Sequence, residues 1–228
     1  MKRNESRAYA VALPHVGVEP THATNRVIRN TYLLLSLTLA FAALVAGVSV
    51  ALRLPHPGLL LTLGGYFGLL FAVHKFQNSS GGLLAVFALT GFMGYTLGPI
   101  VSRYLGLPNG GEIVMQAMGA TAVIFIGLSA YALSTRRDFS FMGGFLGVGI
   151  LLAFITGLAA IFLEIPALSL TVSAAFVLLM SGLILYETSN IIHGGETNYV
   201  LATVTLFVSI FNLFTSLLHL LGFMSGDE

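Results

Sequence analysis

The chain contains no cysteine and no tryptophan, and only 8% of its 228 residues are charged. The first absence excludes disulfides, thiol redox chemistry and thiolate metal sites. The second leaves any interfacial aromatic belt to tyrosine and phenylalanine. The third matters most, because soluble domains carry about 25% charged residues. With 56% hydrophobic residues the composition is that of a polytopic membrane protein. A net charge of +1 offers nucleic acid no basic footprint. Aspartate is equally scarce: none falls within an apolar run, which excludes an intramembrane aspartyl dyad.

What is present is seven apolar runs, at roughly 31–53, 57–74, 82–104, 113–134, 141–163, 166–190 and 199–223. A spanning helix needs about 20 such residues. Turn-formers divide the runs: Pro55-His56-Pro57, Asn78-Ser79-Ser80-Gly81, Pro108-Asn109-Gly110-Gly111, Arg136-Arg137-Asp138, Glu164-Ile165-Pro166 and Gly194-Gly195-Glu196-Thr197-Asn198. Connections this short predict antiparallel neighbours in one bundle. The expected fold class is an all-α membrane protein, a seven-transmembrane-helix bundle at 31–225 preceded by a polar tail at 1–30. That tail reads as cytosolic rather than as a cleaved signal peptide, because its basic region is long and the next run is of spanning length.

Lysine and arginine set the expected orientation. With the N-terminus inside, Lys2, Arg3, Arg7, Arg26, Arg29, Lys75, Arg136 and Arg137 lie on the inner side and only Arg53 and Arg103 on the outer. This predicts a cytoplasmic N-terminus and, after seven spans, a periplasmic C-terminus. Gly64 with Gly68, Gly94 with Gly98, and Gly143 with Gly147 have the spacing that lets helices approach closely.

Glu187 stands out, because almost every other acid lies in a tail or a connection. Burying an ionisable group at membrane depth costs roughly 3 kcal/mol or more. A carboxyl held there can switch with pH or bind a cation; it can also be a purely structural hydrogen-bonded group. On the last run Thr205, Ser209, Asn212, Ser216 and His219 are spaced four, three, four and three, one continuous polar stripe on a helix. Lipid cannot satisfy those groups, so the stripe should face the bundle interior, either lining a wet cavity or making ordinary interhelical hydrogen bonds. The hairpin at 194–198 would bring Glu187 and Ser209 to comparable depth. His74 and Lys75 end the second run, where they could latch the inner mouth against Glu187 or simply snorkel to the headgroups. His193 and Glu196 are too few to hold a metal. No zincin, nucleophile-elbow or Walker-type signature occurs, and nothing around Ser216 and His219 supplies an oxyanion hole. The sequence nominates no catalytic residue, cofactor or metal set.

The stretch Gly82-Leu83-Leu84-Ala85, followed by Gly94-Tyr95-Thr96-Leu97-Gly98-Pro99-Ile100, Ala117 and Thr121-Ala122-Val123-Ile124-Phe125, resembles the signature of the Bax-inhibitor (transmembrane Bax inhibitor motif) family. The runs Arg29 to Leu37 and Glu187 to Tyr199 are most similar to its bacterial, YccA-type branch. The resemblance implies seven helices around a central last one. In relatives with paired aspartates it also implies a pH-sensitive leak for calcium or other cations. Glu187 falls on the first of those aspartate positions and Ser209 on the second, so the carboxylate pair is broken here; Asn212 fits the last helix. A lone carboxylate lacks the coupled titration of a close pair and is a poor calcium ligand. The bacterial branch implies instead association with the membrane-anchored FtsH protease, restraint of that protease, and recognition as its substrate through the N-terminal tail. The alternative expectation is a pH-sensitive calcium or proton leak governed by Glu187.

Overall fold

Helices replace every apolar run at nearly the expected bounds. The computed structural model describes residues 20–225, which form α1 (Pro20–Ala51), α2 (Leu59–Phe76), α3 (Ser80–Leu105), α4 (Gly110–Thr135), α5 (Gly143–Leu163), α6 (Pro166–Ile192) and α7 (Tyr199–Ser225), with one 3-10 turn at Ser140–Met142. All seven are long and apolar enough to cross a membrane. The one displaced boundary is the first. The polar tail was expected to run to residue 30, yet α1 already begins at Pro20. Hydropathy marks where lipid begins, and Ala-, Thr- and Arg-containing sequence can continue a helix beyond that point. The part of the tail at 1–19 lies outside the described residues.

The breaks have local causes. Arg136 and Glu164 end α4 and α5 in the left-handed region, at φ 50° and 52°. Pro166 then opens α6 at a position where its missing N–H is no loss. Thus 141–190 holds two separate helices, as the two apolar runs predict. Asn198 caps α7, its Oδ1 accepting from the Val200 amide at 2.9 Å. The starts of α1, α3, α5 and α7 share one face of the bundle, here termed the N-terminal face, with the connections 77–79, 136–142 and 193–198.

Small residues decide which helices touch. A Cβ at Gly94 would strike the Ala42 main chain, and one at Gly98 would strike Ser49, so these glycines let α3 lie directly on α1. Pro99 cannot donate to Tyr95 O within α3. Ser49 Oγ donates to that carbonyl from α1 at 3.1 Å instead, replacing the lost bond. The other two glycine pairs behave differently: added Cβ atoms at Gly64, Gly68 and Gly147 would meet nothing, and Gly143 alone abuts a neighbour, Tyr186.

The last helix is central, as the polar stripe predicts. α7 packs against α1, α2, α3, α4 and α6, and buries Phe207, Leu206, Leu213 and Leu218 almost completely. Leu60, Leu84, Val123, Phe145 and Leu178 point outward. On a soluble protein such a surface would be an association hazard; here it is the lipid belt.

Candidate functional site

Glu187 lies five residues, about 7.5 Å of helix rise, before the end of α6 at Ile192. It is buried, with 5% of its surface exposed. Its neighbours on the same turn face other parts of the bundle: Thr188 Oγ1 meets Tyr32 Oη of α1 at 3.2 Å, and Ser189 Oγ donates to Arg137 O of the α4–α5 connection at 3.0 Å. Among the described residues no hydrogen-bond donor reaches the Glu187 carboxyl. The charge whose field acts on it is another acid, Glu196.

Helix register shows what stands opposite. Ser173 Oγ of α6 meets His219 Nδ1 of α7 at 2.8 Å. Moving 14 residues along α6 from Ser173 to Glu187 corresponds, in an antiparallel partner, to moving 14 back from His219, which reaches Thr205. Thr205 is therefore level with Glu187. Ser209 is one turn, about 6 Å, deeper, fully buried, and commits its hydroxyl to Thr205 O at 2.7 Å. The expectation that Ser209 and Glu187 share a depth gives way to Thr205, because helix stagger is fixed by packing and not by the hairpin alone. Asn212 lies on the same stripe, its Nδ2 donating to Val208 O at 2.8 Å. Its Oδ1 accepts no hydrogen bond among the described residues. His219 pairs with Ser173, not with its stripe neighbour Ser216.

Beside this stripe runs a cavity of about 670 Å³ between α2 and α5, with α3, α6 and α7 behind it. Thr205 and Asn212 line it from α7, Tyr66 from α2 and Thr96 from α3. On α6 its lining residues are Phe176, Met180 and Leu183. Spacings of four and three continue that row to Glu187, so the carboxyl stands on the lining face one turn beyond the cavity wall. Across the outer side Phe67 of α2 and Phe154 of α5 meet edge to face, ring centroids 6.0 Å apart.

The rim at the N-terminal face is formed by His74 and Glu196. His74 holds its Nδ1 3.0 Å from Leu70 O. Lys75 turns away, with Nζ 5.8 Å from the centroid of the Phe76 ring. Among the described residues neither hydrogen-bonds to or pairs with Glu187. Glu196 is fixed by its neighbour, Oε1 accepting from the Asn198 amide at 2.6 Å. Asn198 in turn ties the α6–α7 connection to the α2–α3 one, Nδ2 donating to Asn78 Oδ1 at 3.0 Å. Sequence reasoning treated Glu196 only as a weak metal ligand and did not single out Asn198. The signal available was an asparagine placed immediately before an apolar run, which marks a helix cap.

A second clamp closes this face. Ser189 Oγ accepts from the Phe139 amide at 3.0 Å, besides its bond to Arg137 O. His193 sets Nε2 3.1 Å from Arg136 O and Nδ1 2.8 Å from Ser189 O. In the same connection the Ser140 amide, 2.8 Å from Asp138 Oδ1, holds that exposed carboxyl below the usual carboxylate range.

Comparison with known proteins agrees with the fold. The chain is 55% identical over 205 residues to the modulator of FtsH protease YccA of Escherichia coli K12, covering 90% of this chain and 93% of the relative. A protein of another Escherichia coli strain, similar to the same extent, is named inner membrane protein YccA. An uncharacterized protein of Pseudomonas aeruginosa is 54% identical over 202 residues, covering 89% of this chain and 91% of the relative. The family model described as inhibitor of apoptosis-promoting Bax1 matches residues 24–226. With nearly the whole length matched on both counts, the chain belongs to the Bax-inhibitor family, as a member of YccA type.

Proposed function

We propose that the protein is a bacterial inner-membrane modulator of the FtsH protease, acting in membrane-protein quality control by binding that complex. The observation that carries this reading is end-to-end similarity to a relative named for that role. The finer part of the reading gives residues 1–19 the task of engagement. That assignment rests on the polar, basic and proline-containing composition of the segment. The charge bias of the connections supports a cytoplasmic N-terminal face, where Arg136, Arg137 and Lys75 lie exposed, and a periplasmic C-terminus. The test is co-purification with FtsH and measurement of the protein's half-life, for the full chain and for a deletion of 1–19 that leaves α1 intact. The deletion is expected to weaken association and lengthen the half-life. A full chain that fails to associate overturns the reading; unchanged association and turnover on deletion overturns the role of the tail.

A second reading is favoured by one observation, the buried Glu187 carboxyl without a donor at the end of the cavity. It makes the bundle a pH-sensitive calcium or proton leak. Glu187 is its titrating group, Thr205 and Asn212 are polar stations along α7 with Ser209 buried behind them, and His74 stands at the inner mouth with Lys75 beside it. Glu187→Gln should abolish pH-dependent flux in proteoliposomes between about pH 5 and 8. Flux that is absent, or indifferent to the substitution, removes this reading.

A further inference from the structure

The cavity between α2 and α5 has a chemical character that neither protease binding nor ion leakage requires. Six aromatic rings line it: Tyr66, Phe67, Phe92, Phe154, Phe176 and Phe211. One formally charged group lines it, the Glu196 carboxylate at the rim, and no lysine or arginine does. One oxygen of that carboxylate serves the Asn198 amide; Oε2 meets no protein donor among the described residues. A volume of about 670 Å³ falls within the range of small-molecule sites, about 300–1,000 Å³.

Each feature narrows the occupant. A hard inorganic cation such as calcium needs about six to eight oxygen ligands, and aromatic walls supply none. A phospholipid would bring a phosphate with no basic residue to meet it, into the field of Glu196 and the nearby Glu187. A neutral apolar molecule would leave Oε2 of the rim carboxylate unmet. Aromatic faces together with one carboxylate suit a large cation of diffuse charge. We infer that the cavity between α2 and α5 is a binding site for a lipophilic monovalent cation, its charge toward Glu196 and its apolar body against the rings of α2, α5 and α7.

The site is testable with two ions of equal shape and opposite sign, tetraphenylphosphonium and tetraphenylborate. The purified full chain in phosphatidylcholine nanodiscs is dialysed against each ion, with empty nanodiscs as the blank. The expected result is saturable uptake of the phosphonium above the blank, at least about ten-fold tighter than any uptake of the borate. Glu196→Gln should remove most of that preference. Gly147→Phe, at a lining position where an added Cβ meets nothing within 4 Å, should fill the cavity and abolish uptake while the protein elutes unchanged. Equal uptake of the two ions, no uptake above the blank, or a preference that survives either substitution overturns the inference. The assay contains neither protease nor ion gradient, so its failure would leave both readings of the preceding subsection standing.

Discussion

Two helices that line the same cavity, α7 at its back and α2 at one side, could hardly be held more differently. Across its most apolar stretch α7 has 61% of its residues buried, and α2 has 6%. α7 is fixed by five neighbours along its length. α2 rests on α3, touches α7 lightly, and meets α5 across the cavity through the Phe67–Phe154 ring contact. Its last turn is held from outside, by Asn198 reaching Asn78 and Gln77 just beyond its end. The cavity therefore has a tightly held back, where α7 presents Thr205 and Asn212, and a loosely held side, where α2 presents Tyr66 and Phe67. Any motion that opens it is expected to be a motion of α2.

The comparison is broken most decisively by adding bulk to each helix. Ser209→Leu places three extra carbons at a fully buried site on α7 and should destabilise the protein by about 1–3 kcal/mol. Gly68→Leu on α2, where a Cβ meets nothing, should fall within about 0.5 kcal/mol of the parent or slightly stabilise it. Thermal unfolding in detergent measures both, and equal losses would erase the distinction. A smaller effect sharpens it. Asn198→Ala removes the α7 cap and the tie to the α2–α3 connection, at a cost of about 1–2 kcal/mol. Amide hydrogen exchange should then rise in the last turn of α2 while the middle of α7 stays protected.

The smallest effect is local and depends on pH. The folded-state pKa of Asp138 is depressed by the Ser140 amide. Its contribution to holding the 136–142 connection is therefore present above the unfolded carboxylate value, about 3.9, and is lost as pH falls through the lower folded value. The protection factor of the Ser140 amide, its exchange rate relative to the intrinsic rate at the same pH, should fall over that window in the parent protein. In Asp138→Ala that protection should already be low at neutral pH, with no such transition.

Much of this architecture is legible in the residues because the bilayer imposes simple rules. Each span is an apolar run, and each break is a proline, glycine or charge cluster. The burial of Glu187 follows from its lying alone in an apolar run, and the centrality of α7 from a polar stripe that lipid could not satisfy. Three features were not legible. Thr205 rather than Ser209 stands level with Glu187 because stagger between neighbouring helices is set by side-chain packing along their whole length. The gap between α2 and α5 arises from which helices fail to meet, and hydropathy carries no record of that. Glu196 is one polar residue in a polar connection until the Asn198 cap fixes it at the rim.

The fastening of the α4–α5 connection has an engineering consequence. Ser189 and His193 grip it through the Arg136 and Arg137 carbonyls and the Phe139 amide, atoms that nearly every amino acid possesses. The guanidinium groups of Arg136 and Arg137 are accordingly not needed for that grip. Foreign side chains, labels or tags should be accepted on this short segment with the bundle intact, whereas a single exchange at Ser189, near the end of α6, would remove two of its three fastenings.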